Sequence, residues 1–255
     1  MVEAFQITPI HRFHHGQADF TDDGVIVEQS VSLTVNGKIW LSFMCSPVDL
    51  EALAVGFLYN EKIISSTEEI IDIYICEHRD NIDIWLDRSV EEPTNWRRTS
   101  GCTGGFTAAV LDEVEPVPLN GVVITPNQIL GLIRNLFEAQ DIYKKSGGVH
   151  SSALSGKDKI LFQIEDVGRH NTLDKIAGKI ILENLNPQPK IILTTGRISS
   201  EMLQKSARMK TSILISRTSP TSMSVDLAQR LGITLIGYAR GHRFNVYSHP
   251  ERVDL

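Results

Sequence analysis

Residues 160–238 constrain the fold more than any other part of the chain. Four short apolar runs, ILFQI (160–164), KIILT (190–194), SILIS (212–216) and ITLIGY (233–238), alternate with stretches of helical period at 171–184, 200–209 and 221–231. Strands separated by helices of that length need crossover connections, which implies a largely parallel sheet covered on both faces, an α/β architecture. A further helix opens at Thr125-Pro126, carries Ile129, Leu132, Ile133, Leu136 and Phe137 on one face, and ends before Gly147-Gly148.

The first half has a different rhythm. Val31, Leu33 and Val35 alternate with polar residues, Asn36-Gly37 supplies a tight turn, and Ile39, Leu41 and Phe43 alternate again, which predicts a hairpin over 31–44. A helix follows from Ser46-Pro47 with Leu50, Leu53, Ala54, Phe57 and Leu58 on one face. Two more alternating runs, Ile71/Ile73/Ile75 and Ile82/Ile84/Leu86, flank a polar turn. Regular patterning then fades between 88 and 125, where Pro93, Pro116 and Pro118 accompany acidic residues and glycines. The expected organisation is a small N-terminal α+β domain over 1–115, ending in a cysteine loop, and a C-terminal α/β domain over 116–255 that holds a ligand.

In open α/β sheets, ligands bind outside the carboxyl ends of the strands. After 160–164 comes EDVGRHN with Asp166, Gly168, Arg169, His170 and Asn171; after 190–194, TGRISSE with Arg197, Ser199 and Ser200; after 212–216, RTSPTS with Arg217; after 233–238, ARGHR with Arg240, Gly241, His242 and Arg243. Each turn combines arginine with glycine or hydroxyl residues, and three run into a helix. Helix N-termini present free N–H groups, and guanidinium forks match phosphate oxygens. Together they favour an extended anion, most simply a phosphorylated or nucleotide-bearing ligand, over isolated surface ion pairs.

Cys102, in RRTSGCTGGFT (97–107), has glycines on both sides and no apolar pattern around it. The glycines allow close backbone approach, and Arg97 and Arg98 favour the reactive thiolate. Cys45 (LSFMCS) and Cys76 (IYICEH) sit in apolar strand patterns and read as core. Position 108 is Ala, so the arginine of a phosphatase loop is missing; zinc-deaminase and P-loop motifs are absent, and no second cysteine lies near any of the three. His11, His14 and His15 read as solvated. A hydrolase using Cys102 with His150 or His170 as base stays open, as does a binding module without chemistry.

The formal net charge of -6 argues against a general nucleic-acid partner. With an odd number of cysteines, no secretory signal and no apolar run of membrane-spanning length, the expected home is the cytoplasm, away from nucleic acid and membrane.

The stretches SPVDLEALAVGFLYNEKII (46–64), GGVHSSAL (147–154), EDVGRHNTLDKIAG (165–178), TTGRISSEMLQKSAR (194–208), ISRTSPTSMSVDLA (215–228) and GYARGHRFNVYSHPERV (237–253) resemble the FdhD family of formate dehydrogenase accessory proteins, in order and over nearly the whole chain. The resemblance implies a C-terminal three-layer α/β domain of cytidine deaminase fold without its zinc chemistry, hence no metal ligands. It implies a sulfurtransferase: Cys102 takes sulfur as a persulfide from a cysteine desulfurase. The sulfur then passes to the molybdenum cofactor, as Mo-bis(molybdopterin guanine dinucleotide), for the formate dehydrogenase catalytic subunit. It further implies a homodimer and binding of the cofactor by Tyr238, Ala239, Arg240, Gly241, His242 and Arg243, for which guanine nucleotides would be mimics. The reading of the turns adds Arg169, Arg197 and Arg217, with Arg240 and Arg243, as the groups that take its phosphates. Many members carry C-x-x-C in the loop; here Gly105 replaces the second cysteine, which removes release by an internal disulfide. A cofactor-binding chaperone without sulfur transfer is the alternative.

Overall fold

The computed structural model describes residues 4–94, 97–98, 106–107, 115–118 and 121–255. Cys102 and Gly105 lie outside the described residues, as do the side chains of Arg97 and Arg98.

The chain opens with an antiparallel hairpin, Phe5–His14 (β1) and Gln17–Ile26 (β2), turned by His15 and Gly16 at positive φ. Sequence patterning leaves this stretch unassigned, because its apolar positions are interrupted by Pro9 and Gly24 and largely face solvent. The three histidines at 11, 14 and 15 are indeed exposed. Gln29–Val35 (β3) and Lys38–Cys45 (β4) form the expected hairpin, Leu50–Asn60 is α1, and Ile70–Ile75 (β5) and Asn81–Leu86 (β6) complete a sheet of order β4-β3-β6-β5. Val31, Leu33, Phe43, Ile82 and Ile84 bury one face of it against Leu53, Phe57 and Leu58 of α1. Cys45 is fully buried in that core. Cys76 is not, which corrects the sequence reading: β5 stops at Ile75, so Cys76 opens the polar turn, where its thiol donates to Asp80 at 2.9 Å. Arg97–Arg98 (β7) pairs with Phe106–Thr107 (β8), so that the paired segments bracket Cys102 in sequence.

The second half contains Pro126–Glu138 (α2), Ile142–Ser146 (α3), His150–Ser155 (β9), Ile160–Asp166 (β10), Arg169–Leu182 (α4), Ile191–Thr194 (β11), Ser200–Arg208 (α5), Ile213–Ser216 (β12), Ser222–Leu231 (α6), Thr234–Arg240 (β13) and Arg243–Ser248 (β14). The six-stranded sheet has the order β10-β9-β11-β12-β13-β14. It is parallel through β11-β12-β13, while β9 and β14 run antiparallel to their neighbours. The antiparallel members arise where the connections are too short for a helix, between β9 and β10 and at Gly241-His242. α2 covers one face through Ile129, Leu132, Ile133 and Leu136; α4, α5 and α6 cover the other. These are the three layers. Glu115–Pro118 already belongs here: Val117 is buried in the sheet core and donates its N–H to Leu231.

The halves meet through α1 and α4, at glycines. A methyl group on Gly178 would overlap the Ala52 carbonyl, and one on Gly56 the Asp174 carbonyl. In an isolated helix Gly→Ala gains about 1 kcal/mol. Here the backbones have nowhere to go, so overpacking of about 3 kcal/mol wins. Gly178→Ala is therefore expected to lower stability by about 2 kcal/mol net, read as a lower urea midpoint with unchanged slope.

Beside that seam lie two ion pairs. Lys175 Nζ is 2.5 Å from Asp166 Oδ2 with both side chains fully covered, and Lys205 Nζ is 2.5 Å from Asp174 Oδ2. Asp166 also accepts from the Ser46 and Gly168 N–H groups and from Asn171, whose amide reaches the Met44 carbonyl. Asp174 accepts from Asn60 at 2.7 Å. One buried carboxylate thus ties β4 to the start of α4, and the other ties α1 to α5.

Candidate functional site

β10, β11, β12 and β13 point the same way, so the turns that follow them share one edge of the sheet, joined there by the starts of β9 and β14. The turns are also bonded to one another. Ser216 Oγ donates to the Gly196 carbonyl at 2.7 Å, Ile198 N–H to Ser219, Thr221 N–H back to Ile198, and Tyr238 N–H to Thr218. Ser199 and Thr221 cap α5 and α6 with their hydroxyls. Such an edge is set before any ligand arrives.

The edge divides into two parts. Over β12 and β13 lies a cleft of about 570 Å³ between the sheet and α2. Its floor and apolar wall are Leu130, Ile133 and Phe137; Arg134, Lys144, Arg217, Arg240 and Gly241 line its rim, with Glu138 the one carboxylate among them. The Arg217 guanidinium stacks on the Phe137 ring with its carbon 4.8 Å from the centroid. Arg134, Arg197, Arg240 and Arg243 are exposed and have no carboxylate partner among the described residues. A cation-rimmed apolar slot suits a flat ring attached to phosphate. The turn itself is tight: Tyr238 and Gly241 take positive φ, Tyr238 and His242 are exposed, and Ala239 is fully buried, its methyl in the core beneath rather than in the cleft. The α2 wall is what sequence reasoning missed. Phe137 belongs by spacing to the apolar face of α2, yet it stands half-exposed at the margin of that face; an aromatic at the end of an apolar stripe is the available signal.

Over β9, β10 and β11 the cluster is more enclosed. Arg169 opens α4 and is 5% exposed; Gly196 packs against its stem and against the His150 ring. His170 is buried, with Nε2 3.4 Å from Ser199 Oγ and Nδ1 without a hydrogen-bond partner among the described residues. Burial drives the His170 pKa well below 6.5, helped by the charges of Lys205 and Arg169; burial also lowers that of His150, helped by Arg169. His170 therefore sits neutral among cations. α4 has no side-chain cap, so its first N–H groups face this cluster.

The sign of the pH effect follows. A histidine whose folded pKa is depressed leaves the unfolded chain to take up the proton first as pH falls. Its contribution is fully present above pH 6.5 and is lost as pH drops below that value. Stability is expected to fall by about 1.4 kcal/mol per pH unit on account of His170, and His170→Asn to flatten that slope in urea midpoints taken from pH 7 downward.

Among the described residues no group of three or more His, Cys, Asp or Glu is placed to hold a metal ion, and no helix is long and apolar enough to cross a membrane.

Comparison with known proteins agrees with this geometry. The family model described as FdhD/NarQ matches residues 26–254. The chain is 32% identical over 251 residues to a sulfur carrier protein FdhD of Staphylococcus aureus (strain MRSA252), covering 96% of this chain and 95% of that one. It is 32% identical over 257 residues to that of Staphylococcus haemolyticus (strain JCSC1435), covering 98% and 97%. A crystal structure from Desulfotalea psychrophila, described as a formate dehydrogenase accessory protein, superposes with a TM-score of 0.83 at 31% identity, covering 98% of this chain and 100% of that one. A fold shared over its whole length and a sequence match from β2 to the last residues place this chain in the FdhD/NarQ family.

Proposed function

We propose that the protein is a sulfur carrier: Cys102 accepts sulfur as a persulfide from a cysteine desulfurase and delivers it to a molybdenum cofactor bound at the arginine edge, in service of formate dehydrogenase. The observation that carries the reading is the row of bonded turns beside a largely apolar slot, with Arg134, Arg197, Arg240 and Arg243 exposed and without a carboxylate partner among the described residues. It suits Mo-bis(molybdopterin guanine dinucleotide), which has two pyrophosphates and two flat bases. The relatives' names supply the sulfur, and Cys102 supplies the atom to hold it. Arg217 and Phe137 form a shelf for a base; Arg240 and Gly241 line the same cleft, and Tyr238, His242 and Arg243 belong to the same turn. Arg169 and Arg197 extend the positive field toward β10.

The chemistry asked of the protein is modest. The thiolate of Cys102 attacks the terminal sulfur of the desulfurase persulfide, the S–S bond to the desulfurase cysteine breaks, and that cysteine leaves as a thiolate. Arg97 and Arg98, five and four residues before it in sequence, stabilise the anion. With Gly105 in place of a second cysteine, the outgoing step needs an external thiol or the reduced cofactor as the electron donor. A compartment that keeps thiols reduced, such as the cytoplasm, suits that step. The family's pairing into a homodimer is part of the same proposal.

The test is direct. Reduced protein is incubated with a cysteine desulfurase and cysteine, then mapped by peptide mass. One added sulfur on the peptide holding Cys102 is expected. A peptide that stays unmodified while the desulfurase turns over rejects sulfur carriage and leaves a cofactor-binding chaperone.

A further inference from the structure

The four-stranded sheet has α1 against one face only. α1 leans in turn on α4, so the other face points away from the six-stranded sheet and its arginine edge. A solvated sheet face is ordinarily a run of polar side chains. Here Tyr74 and Trp85 stand on it at 60% and 45% exposure, with Ile39 and Ile71 at its margins at 66% and 69%. The register breaks between Leu33 and Thr34 and again between Ile70 and Asp72. These irregularities turn outward Ile39 and Ile71, which alternation with Leu41 and Ile73 would have buried. Across the strands Tyr74 lies opposite Asp83 and Trp85 opposite Asp72, so aromatic and carboxylate side chains are neighbours.

The charge is as uneven as the apolar surface. Residues 61–92 carry ten acidic side chains against three basic ones, more than the whole net charge of -6, which leaves the rest of the chain near balance. Asp72 and Asp83 belong to the face and have no ion pair among the described residues. Exposed Glu77 and Asp80 lie at one end of the β5–β6 pair, and Glu68 and Asp87 at the other. The cations nearby are engaged: Arg88 with Glu69 and Asp87, Lys38 with Glu92, and Arg79 with the Pro47 carbonyl. Charge that served solubility alone would be interspersed with the opposite sign over the whole surface. Gathered around two exposed aromatics, it has the composition of an interface, where Tyr and Trp anchor and charge surrounds them.

We propose that this face docks the sulfur donor, a protein whose own surface presents arginines or lysines around an apolar spot. The inference rests on the sulfur-carrier reading and adds the surface to it. Complementarity sets the chemistry. A guanidinium stacks on Trp85 or Tyr74 while pairing with Asp72 or Asp83, and the surrounding carboxylates speed encounter with a basic partner. Position selects which partner. The dehydrogenase meets the cofactor at the arginine edge, and the outer face looks the other way, so donor and recipient do not compete. Cys102 follows Glu92 by ten residues, at most about 35 Å of chain, which keeps the carrier within chain reach of a donor seated here. A second copy of this chain fits less well, because its unpaired arginines belong to the cofactor edge and would be covered.

The test is calorimetric titration of the full-length protein with the cysteine desulfurase, for wild type, Asp72→Lys, Tyr74→Ala and the double variant. Both side chains are exposed, so urea midpoints and GDP binding are expected to stay at wild-type values. The wild-type Kd is expected to rise with added salt, and Asp72→Lys to flatten that dependence. The double variant is expected to bind at least tenfold more weakly at low salt. Its loading of Cys102 should slow at desulfurase concentrations below the Kd and recover at saturation. A double variant that keeps the wild-type Kd and loading rate overturns the docking and leaves the carrier standing. A wild type whose Cys102 takes no sulfur overturns both. A double variant that changes the particle mass in light scattering, or that loses formate dehydrogenase in place of the desulfurase, assigns the face to another occupant and likewise overturns the proposal.

Discussion

Lys205→Met is expected to cost about 3–5 kcal/mol of folding stability at neutral pH, a large share of the 5–15 kcal/mol that holds a domain of this size. The reason is Asp174, which is 2% exposed and loses its ammonium partner 2.5 Å away. Burial already pushes the Asp174 carboxyl above 3.8, against the pull of Lys205 and Asn60. Without Lys205 it rises further. A carboxyl whose folded pKa exceeds its unfolded value takes up a proton on folding. Its penalty is absent below the unfolded pKa and grows as pH rises toward the folded one. The gap between variant and wild-type urea midpoints should therefore widen from pH 4 to pH 7. Asp174→Asn combined with Lys205→Met should recover most of the loss, since the variant pair buries no charge. Equal cost for the single and the double variant would mean that Lys205 acts through packing on Phe57, over whose ring it sits at 5.7 Å, and not through charge.

Cys102→Ala is expected to remove sulfur acceptance entirely and to reduce formate dehydrogenase maturation to the level of cells lacking the protein. GDP binding at the arginine edge should be unchanged, because the substitution leaves Arg134, Arg217, Arg240 and Phe137 of the cleft in place. That split is what separates a carrier from a chaperone. Maturation that survives in Cys102→Ala would make cofactor shelter the activity. Loss of GDP binding along with sulfur would place the cysteine in the binding site itself. Cys45 gives the internal control: burial raises its thiol to about 12 and keeps it fully covered, so it does not compete for sulfur.

Much of this was legible from residue order alone. The β10–α4 and β11–α5–β12–α6–β13 succession is local: each run buries its own apolar face, and Thr125, Ser199 and Thr221 carry their capping chemistry with them. The arginine turns follow, because a parallel run fixes which strand ends share an edge. The apolar wall of the cleft did not follow: whether Phe137 faces the core or the ligand depends on where α2 sits on the sheet. Cys76 misled for a related reason, since an apolar strand pattern does not mark the residue at which the strand stops.

What the sequence determined by itself was the chemistry available: one thiol among glycines and arginines at the ends of strands. What only the tertiary structure decided was company. The partners of Lys175 and Lys205 and the closeness of Gly178 to Ala52 rest on contacts between distant parts of the chain. Burial there sets the cost of every charge and every methyl group, and no local pattern records it.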